Sequence, residues 1–371
     1  MSDLETAAES APQNLSPTQF PCEECGAVLT FAPGMDVLKC QYCGHENPIP
    51  ESGETVEELD YHAALRQDAS NDETVTEKTI KCGTCAAEFT LDAKVTSDEC
   101  PFCGSTVVLD SAAPSTVLKP KSLLPFKLDH RQARDAFKKW LSSRWFAPGG
   151  LDKYARDDGA LSGMYTPYWT YDSDTTSHYR GLRGINYTVT VGSGKNRRTV
   201  TKTRWTPVSG TVRRFFDDVL VLASNSLPRN LAERLEPWDL ENLVPYDDSY
   251  LSGFRSEKYQ IGLEDAFDYA KQIMERGIRS DVRRQIGGDK QRILSLSIRH
   301  DAITYKHVLL PVWLAAYKFR DKTYRFTVNA RTGEVQGERP WSWLKIAAAV
   351  LGVVVVAGGL YYAYVTFGGG G

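Results

Sequence analysis

The longest apolar run of the chain is its last: from Ile346 to Phe367 the sequence IAAAVLGVVVVAGGLYYAYVTF carries no charge. A helix needs about 20 such residues to cross the hydrocarbon of a bilayer, so the pattern predicts one transmembrane helix over 346–367. A buried core helix is the alternative, but a run this long and uncharged rarely serves as one. Trp341 and Trp343 on one side, and Tyr361, Tyr362 and Tyr364 toward the other, fall where interfacial aromatic belts lie.

Upstream, apolar residues recur at helical spacing twice. Ala133, Phe137, Trp140 and Leu141 form one stripe, with Asp129 as its cap; Leu263, Ala266, Phe267, Ala270, Ile273 and Met274 form the other. Both read as core-facing. A strand-like segment follows each, Met164 to Asp172 with Pro167-Tyr168-Trp169 and Val308 to Phe319 with Pro311-Val312-Trp313. This weak internal repeat predicts an α+β fold with a duplicated, antiparallel body: one unit over 115–225, a second over 257–340, and a proline-bearing irregular connection over 226–256. Tyr324, Phe326 and Val328 alternate with polar neighbours, and Asn329 to Gly333 supplies a turn into Glu334 to Gly337.

Tyr187 to Val191 and Arg198 to Lys202 predict a hairpin joined by Gly192-Ser193-Gly194-Lys195-Asn196. Gly-Ser-Gly-Lys resembles the end of a phosphate-binding loop, but Val189 stands where that loop needs glycine and Asn196 where it needs Ser or Thr. A glycine-rich turn is the better reading. The hairpin carries Lys195, Arg197, Arg198, Lys202 and Arg204, with Arg213 and Arg214 beyond, as the candidate contact for an anionic surface; a solvated strand face is the plain alternative.

Charge divides the chain. Residues 1–110 hold 21 Asp and Glu against 5 Lys and Arg, while the whole chain holds 47 against 44, so the acidic part balances a basic remainder. Residues 1–20 read as a disordered acidic tail without the apolar core of a signal peptide.

All eight cysteines lie in this acidic part, in two quartets of one spacing: Cys22, Cys25, Cys40 and Cys43, then Cys82, Cys85, Cys100 and Cys103. A Cys-x-x-Cys pair presents two thiolates from one tight turn, and two such turns supply the four sulfurs of a tetrahedral Zn²⁺ site. Two zinc ribbons are expected, over 21–50 and 78–110, joined by a linker over 51–77. A disulfide framework, an iron centre and fortuitous cysteines are the alternatives. Closed all-cysteine sites leave no open position for an activated water, so the two Zn²⁺ ions are expected to be structural.

Acidic ribbons suit a protein partner with a basic face, or the basic half of the same chain, better than nucleic acid, whose phosphates want lysine and arginine; a merely solvated acidic region is the plain alternative. The six histidines are scattered without ligand spacing, and no catalytic constellation emerges. Arg331, Arg339 and Lys345 precede the apolar helix, which predicts an inner (cytoplasmic) membrane protein, single-pass, with its N-terminal domains in the cytoplasm.

The paired ribbons CEECG…CQYCG and CGTCA…CPFCG, the stretches MYTPYWTYD, RFFDDVLVLAS, LLPVWLAAYKF and YRFTVNARTGEVQGERPWS, and the final apolar helix together resemble bacterial membrane-anchored proteins with TFIIB-type zinc ribbons. Such proteins are often labelled primosomal protein N′ or superfamily II helicase, yet this sequence lacks a helicase motor. The resemblance implies a membrane partner in envelope stress, similar to components encoded beside phage-shock-protein-A homologues and recruiting them to the membrane. The expectation is therefore a non-enzymatic, tail-anchored adaptor whose zinc ribbons bind protein. A membrane-held nucleic-acid module using the basic hairpin is the alternative, and a zinc or thiol redox sensor is a third.

Overall fold

The computed structural model describes residues 20–49, 53, 55–66, 74–85, 87–90, 97–108, 113–144, 148, 161–194, 197–319, 322–338 and 340–367. The expected tail over 1–20, apart from Phe20, and Lys195 of the basic hairpin lie outside the described residues.

A mixed sheet built on three long antiparallel strands organises the body. Strand β1 (Ser162–Val191) pairs on one side with β2 (Arg198–Leu222) and on the other with β3 (Lys290–Phe319). Strand β4 (Lys322–Asn329) folds back on β3, and β5 (Val335–Gly337) folds back on β4. The segments read as Met164 to Asp172 and Tyr187 to Val191 are therefore one continuous strand of 30 residues. Register shifts between Tyr171 and Ser173 and between Asp172 and Asp174 absorb its mismatch with both neighbours; bulges of this kind bend a strand without ending it. The strands following the two predicted helical stripes thus lie side by side, with Met164 opposite Val312 and Pro167 opposite Leu309.

Both predicted helices are present. Helix α1 (His130–Ser142) begins at Asp129 with a full capping box, the Asp129 carboxylate accepting from Gln132 N and the Gln132 side chain accepting from Asp129 N. Helix α2 (Leu263–Ile286) buries Ala266, Ala270, Met274, Ile278, Val282 and Ile286, a stripe that one face of a 3.6-residue helix lays along the sheet. Helix α3 (Trp343–Phe367) is the predicted apolar run; none of its most apolar window is buried inside the protein, and it is long and apolar enough to span a membrane.

The same strand passes through two environments. Between Met164 and Ser173 every β1 residue is buried, because the sheet is covered on both faces. One face packs Tyr165, Leu309 and Trp313 against the first cysteine module and α1. The other packs Met164, Tyr168, Leu310 and Val312 against the second module. Further along, α2 covers only the Trp169 and Tyr171 face, and beyond Gly184 most residues of β1 and β2 are exposed.

The expected linker over 51–77 is more than a tether. Leu59–Asp60 adds to β3, and the short helix Tyr61–Arg66 buries Tyr61 against Tyr171 and Phe267. Short-range pattern missed this because the segment is mostly polar and its apolar anchors, Leu59 and Tyr61, are too few to set a period. The connection over 226–256 is irregular, carrying helical turns and the two-residue strands Val244–Pro245 and Arg255–Ser256.

Candidate metal centres

Each quartet is assembled from two tight turns of one design. The amides of Cys22, Cys40, Cys82 and Cys100 donate to the carbonyls of Ala27, His45, Ala87 and Ser105, five residues on. Gly26, Gly44 and Gly104 donate back to the carbonyls of Cys22, Cys40 and Cys100 and take positive φ of 72°, 77° and 70°. Glycine adopts that backbone without strain, and the turn aims amides at the sulfurs.

Within each quartet all four Sγ atoms lie within 4.8 Å of one another. Cys22 and Cys43 are 3.6 Å apart and Cys25 and Cys40 3.5 Å; Cys82 and Cys103 are 3.6 Å apart and Cys85 and Cys100 3.7 Å. A tetrahedral ion with metal–sulfur bonds of about 2.3 Å separates its sulfurs by about 3.8 Å. The disulfide alternative needs sulfurs about 2.05 Å apart, and these cysteines are free. Each quartet can therefore hold one metal ion, consistent with two structural zinc sites.

The thiols do not behave alike. Amides of Cys43 and Tyr42 draw Cys40 down to about 6. For Cys43 the His45 amide acts downward, but the neighbouring sulfurs and burial carry the thiol up to about 12. In the second module burial pushes Cys85 up to about 11 and Cys100 higher still. Against its own burial, Cys82 is drawn to about 6 by the Ser105 hydroxyl and the amides of Cys85 and Thr84. Four sulfurs this close cannot all ionise alone, and a divalent cation supplies the compensating charge the donor set fits.

The two modules sit on opposite faces of the sheet and share one docking segment. Phe31 N donates to Ser252 O and Ser252 Oγ to Leu29 O on the first side. On the second, Glu257 N donates to Tyr165 O, Lys258 N to Glu88 O, and Thr90 Oγ1 to Ser256 O. Residues 252–258 thus clamp both modules to the base of the sheet, a juxtaposition no sequence spacing announces.

A third acidic group was missed. Oxygens of Glu58, Asp172 and Asp217 lie within 4.8 Å of one another. However, the Lys306 ammonium is already beside them, 3.2 Å from Glu58 Oε1 and 2.7 Å from Oδ1 of the adjacent Asp218. Asp172 accepts from Asp218 N and Thr304 Oγ1, and burial raises its carboxyl to about 6. With a cation built in, the cluster reads as a lock that fastens the Glu58 segment across β1 and β3.

The basic hairpin forms as expected: Val191 pairs with Arg198 and Tyr187 with Lys202, closed through Gly192 and Gly194 at positive φ. Arg197, Arg198, Lys202 and Arg204 are exposed. Arg214 is not part of a free surface, because it pairs with Asp281 of α2 at 3.0 Å. The hairpin lies at the opposite end of the sheet from the membrane-spanning candidate. Gly337 pairs with Phe326, and Phe326 with Ala315, so α3 departs level with the Ser162 end of β1.

The fold and its centres define a class: a mixed α/β protein with two four-cysteine modules and one apolar C-terminal helix. Among known proteins the chain is similar to YdjG, an uncharacterized protein of Bacillus subtilis, with 28% identity over 349 residues that span 93% of this chain and 95% of the relative. No family model matches the chain, and no solved structure matches it.

Proposed function

We propose that this protein is a non-enzymatic, single-pass membrane adaptor in which two structural zinc ribbons form the protein-binding head. One observation carries the reading: both metal-binding modules are clamped at the end of the sheet from which α3 departs, and the first keeps an exposed outer surface. On the first module Glu23 and Glu24 are exposed and Tyr42 is 85% exposed. An exposed aromatic and exposed carboxylates on one module are the composition of an interaction surface, and they favour a partner with a basic face.

The ions are read as Zn²⁺ because four thiolates at tetrahedral spacing are its usual structural set. The inner membrane is the proposed location. The positive-inside tendency of Arg331, Arg339 and Lys345 puts the body in the cytoplasm, where thiols stay reduced. The body is read as a duplicated antiparallel α+β unit that braces both ribbons. A protein resembling phage-shock protein A is the proposed partner, and envelope stress the proposed setting.

A crosslinking pull-down of the full-length protein from its native membrane, beside a Cys22→Ser/Cys82→Ser variant, tests this. Membrane-scaffold or envelope-stress proteins captured by the parent and lost in the variant are the expected result. Replication or transcription proteins captured together with nucleic acid would overturn it in favour of the nucleic-acid reading, which the exposed Arg197, Arg198 and Lys202 support.

A further inference from the structure

The free end of the long sheet has two unlike faces. Glycines reveal which is which: a Cβ on Gly181 would meet Ile286 of α2, and one on Gly288 would meet Arg183 and Ile185. One on Gly184 would instead meet Thr203, Trp205 and Lys290. Alternation then assigns Ile185, Tyr187, Val189 and Val191 to the face α2 covers, together with their partners Arg204, Lys202, Val200 and Arg198. The opposite face carries Asn186, Thr188, Thr190 and, from β2, Thr199, Thr201 and Thr203.

Helix α2 stops at Ile286, but the apolar face runs on. Past the helix end Ile185 is 39% exposed, Tyr187 47% and Val191 42%, flanked by exposed Arg198, Lys202 and Arg204. From Thr175 to Phe216 the chain holds nine Lys and Arg and no Asp or Glu. The neighbouring turn of α2 adds Arg283 and Arg284, both exposed.

We propose that this uncovered stretch is a docking face for an acidic amphipathic helix contributed by a partner protein, which extends the helix layer that α2 begins. The helical form follows from continuity, since α2 already occupies the preceding stretch of the same face. The acidic character follows from charge, since Arg198, Lys202 and Arg204 share the strip's face while the nearby carboxylate of Asp289 is engaged by Asn186 N at the α2 end, and such a strip selects apolar residues flanked by Asp and Glu. A bilayer surface is the poorer fit. The strip lies at the far end of a 30-residue strand from the point where α3 departs, on the order of 90 Å along the strand at 3.3 Å per residue.

The inference rests on the adaptor reading and names a second contact for it. Its test installs the photocrosslinker p-benzoylphenylalanine at Tyr187 of the full-length chain in its native membrane, with Thr188 on the opposite face as control. The expected result is an adduct at Tyr187, absent at Thr188, to a protein segment whose Asp or Glu and apolar residues recur at helical spacing. The Lys202→Glu/Arg204→Glu variant is expected to cut its yield on the order of tenfold or more, while capture through the ribbons is unchanged. Adducts only to lipid, nucleic acid, a second copy of this chain or a segment without that pattern would overturn the proposal, as would no adduct. If ribbon-dependent capture persists in those cases, the docking face alone fails; if that capture is also absent, the adaptor reading fails with it.

Discussion

Strand β1 is one element living two lives. At its base, Tyr165, Tyr168 and Trp169 are sealed between a metal-binding module, α1 or α2 on one face and the second module on the other. At its tip, Ile185, Tyr187 and Val191 carry similar apolar chemistry into solvent. The residues do not differ enough to explain this; the layers do. A strand buried on both faces is locked by what covers it, whereas the same pleat left open is available to something else.

If the base is held by the metal modules, breaking one should break the base first. Cys82→Ser removes a ligand whose neighbours Ile80, Phe89 and Phe102 pack into one cluster with Met164, Tyr168 and Val312. Structural metal sites contribute on the order of 10 kcal/mol to small modules, so loss of folded protein, read by protease resistance and near-ultraviolet circular dichroism, is the expected outcome. A chelator should reproduce it in the parent. Retained resistance of the base in both cases would separate the modules from the core.

The next largest effect is expected under α2. Ile278 is 0% exposed and sits in the middle of the stripe that seals the Trp169 face. Ile278→Ala should cost about 2–5 kcal/mol through lost contact and a cavity, seen as a lowered denaturation midpoint. A tip residue of the same type, Ile185→Ala, should cost far less.

How much of this was legible beforehand follows the same division. The quartets, both helical stripes, the Asp129 cap and the apolar C-terminal helix are local patterns, and the structure has all of them. What escaped is non-local. The length of β1 was hidden by bulges and by Gly181 and Gly184, where close approach by the Arg292 carbonyl, Ile286 and Trp205 leaves no room for a Cβ. The lock around Lys306 joins residues far apart in the chain, and its lysine could be paired with Glu58 and Asp218 only after folding. The placement of the modules on opposite faces depends on residues 252–258, whose composition reads as plain connection.

A smaller effect sharpens the contrast through pH. Glu257 belongs to the base, 3% exposed, accepting from Ser224 Oγ at 2.5 Å, and burial pushes its carboxyl from 4.5 up to about 7. Because the folded state holds the proton more tightly, its contribution is fully present below 4.5 and is lost as pH rises through about 7. Glu257→Gln should leave stability unchanged at the acid end and raise it above pH 7 by on the order of 3 kcal/mol. A denaturation midpoint whose pH dependence is identical in the two proteins would show that this carboxyl is solvated after all.

The smallest expected change in stability is also the most discriminating. Tyr187 and Lys202 face each other across β1 and β2 at the tip, and both are exposed. Surface substitutions of this kind shift stability by about 0.5 kcal/mol or less, so Tyr187→Ser and Lys202→Glu should unfold with the parent. If the tip exists to bind, the same two changes should weaken partner capture and make what remains less sensitive to salt, because Lys202→Glu removes one of the screened attractions. If instead Tyr187→Ser lowers the denaturation midpoint as far as Ile278→Ala does, the tip is packed as the base is, and the sheet is structural from end to end.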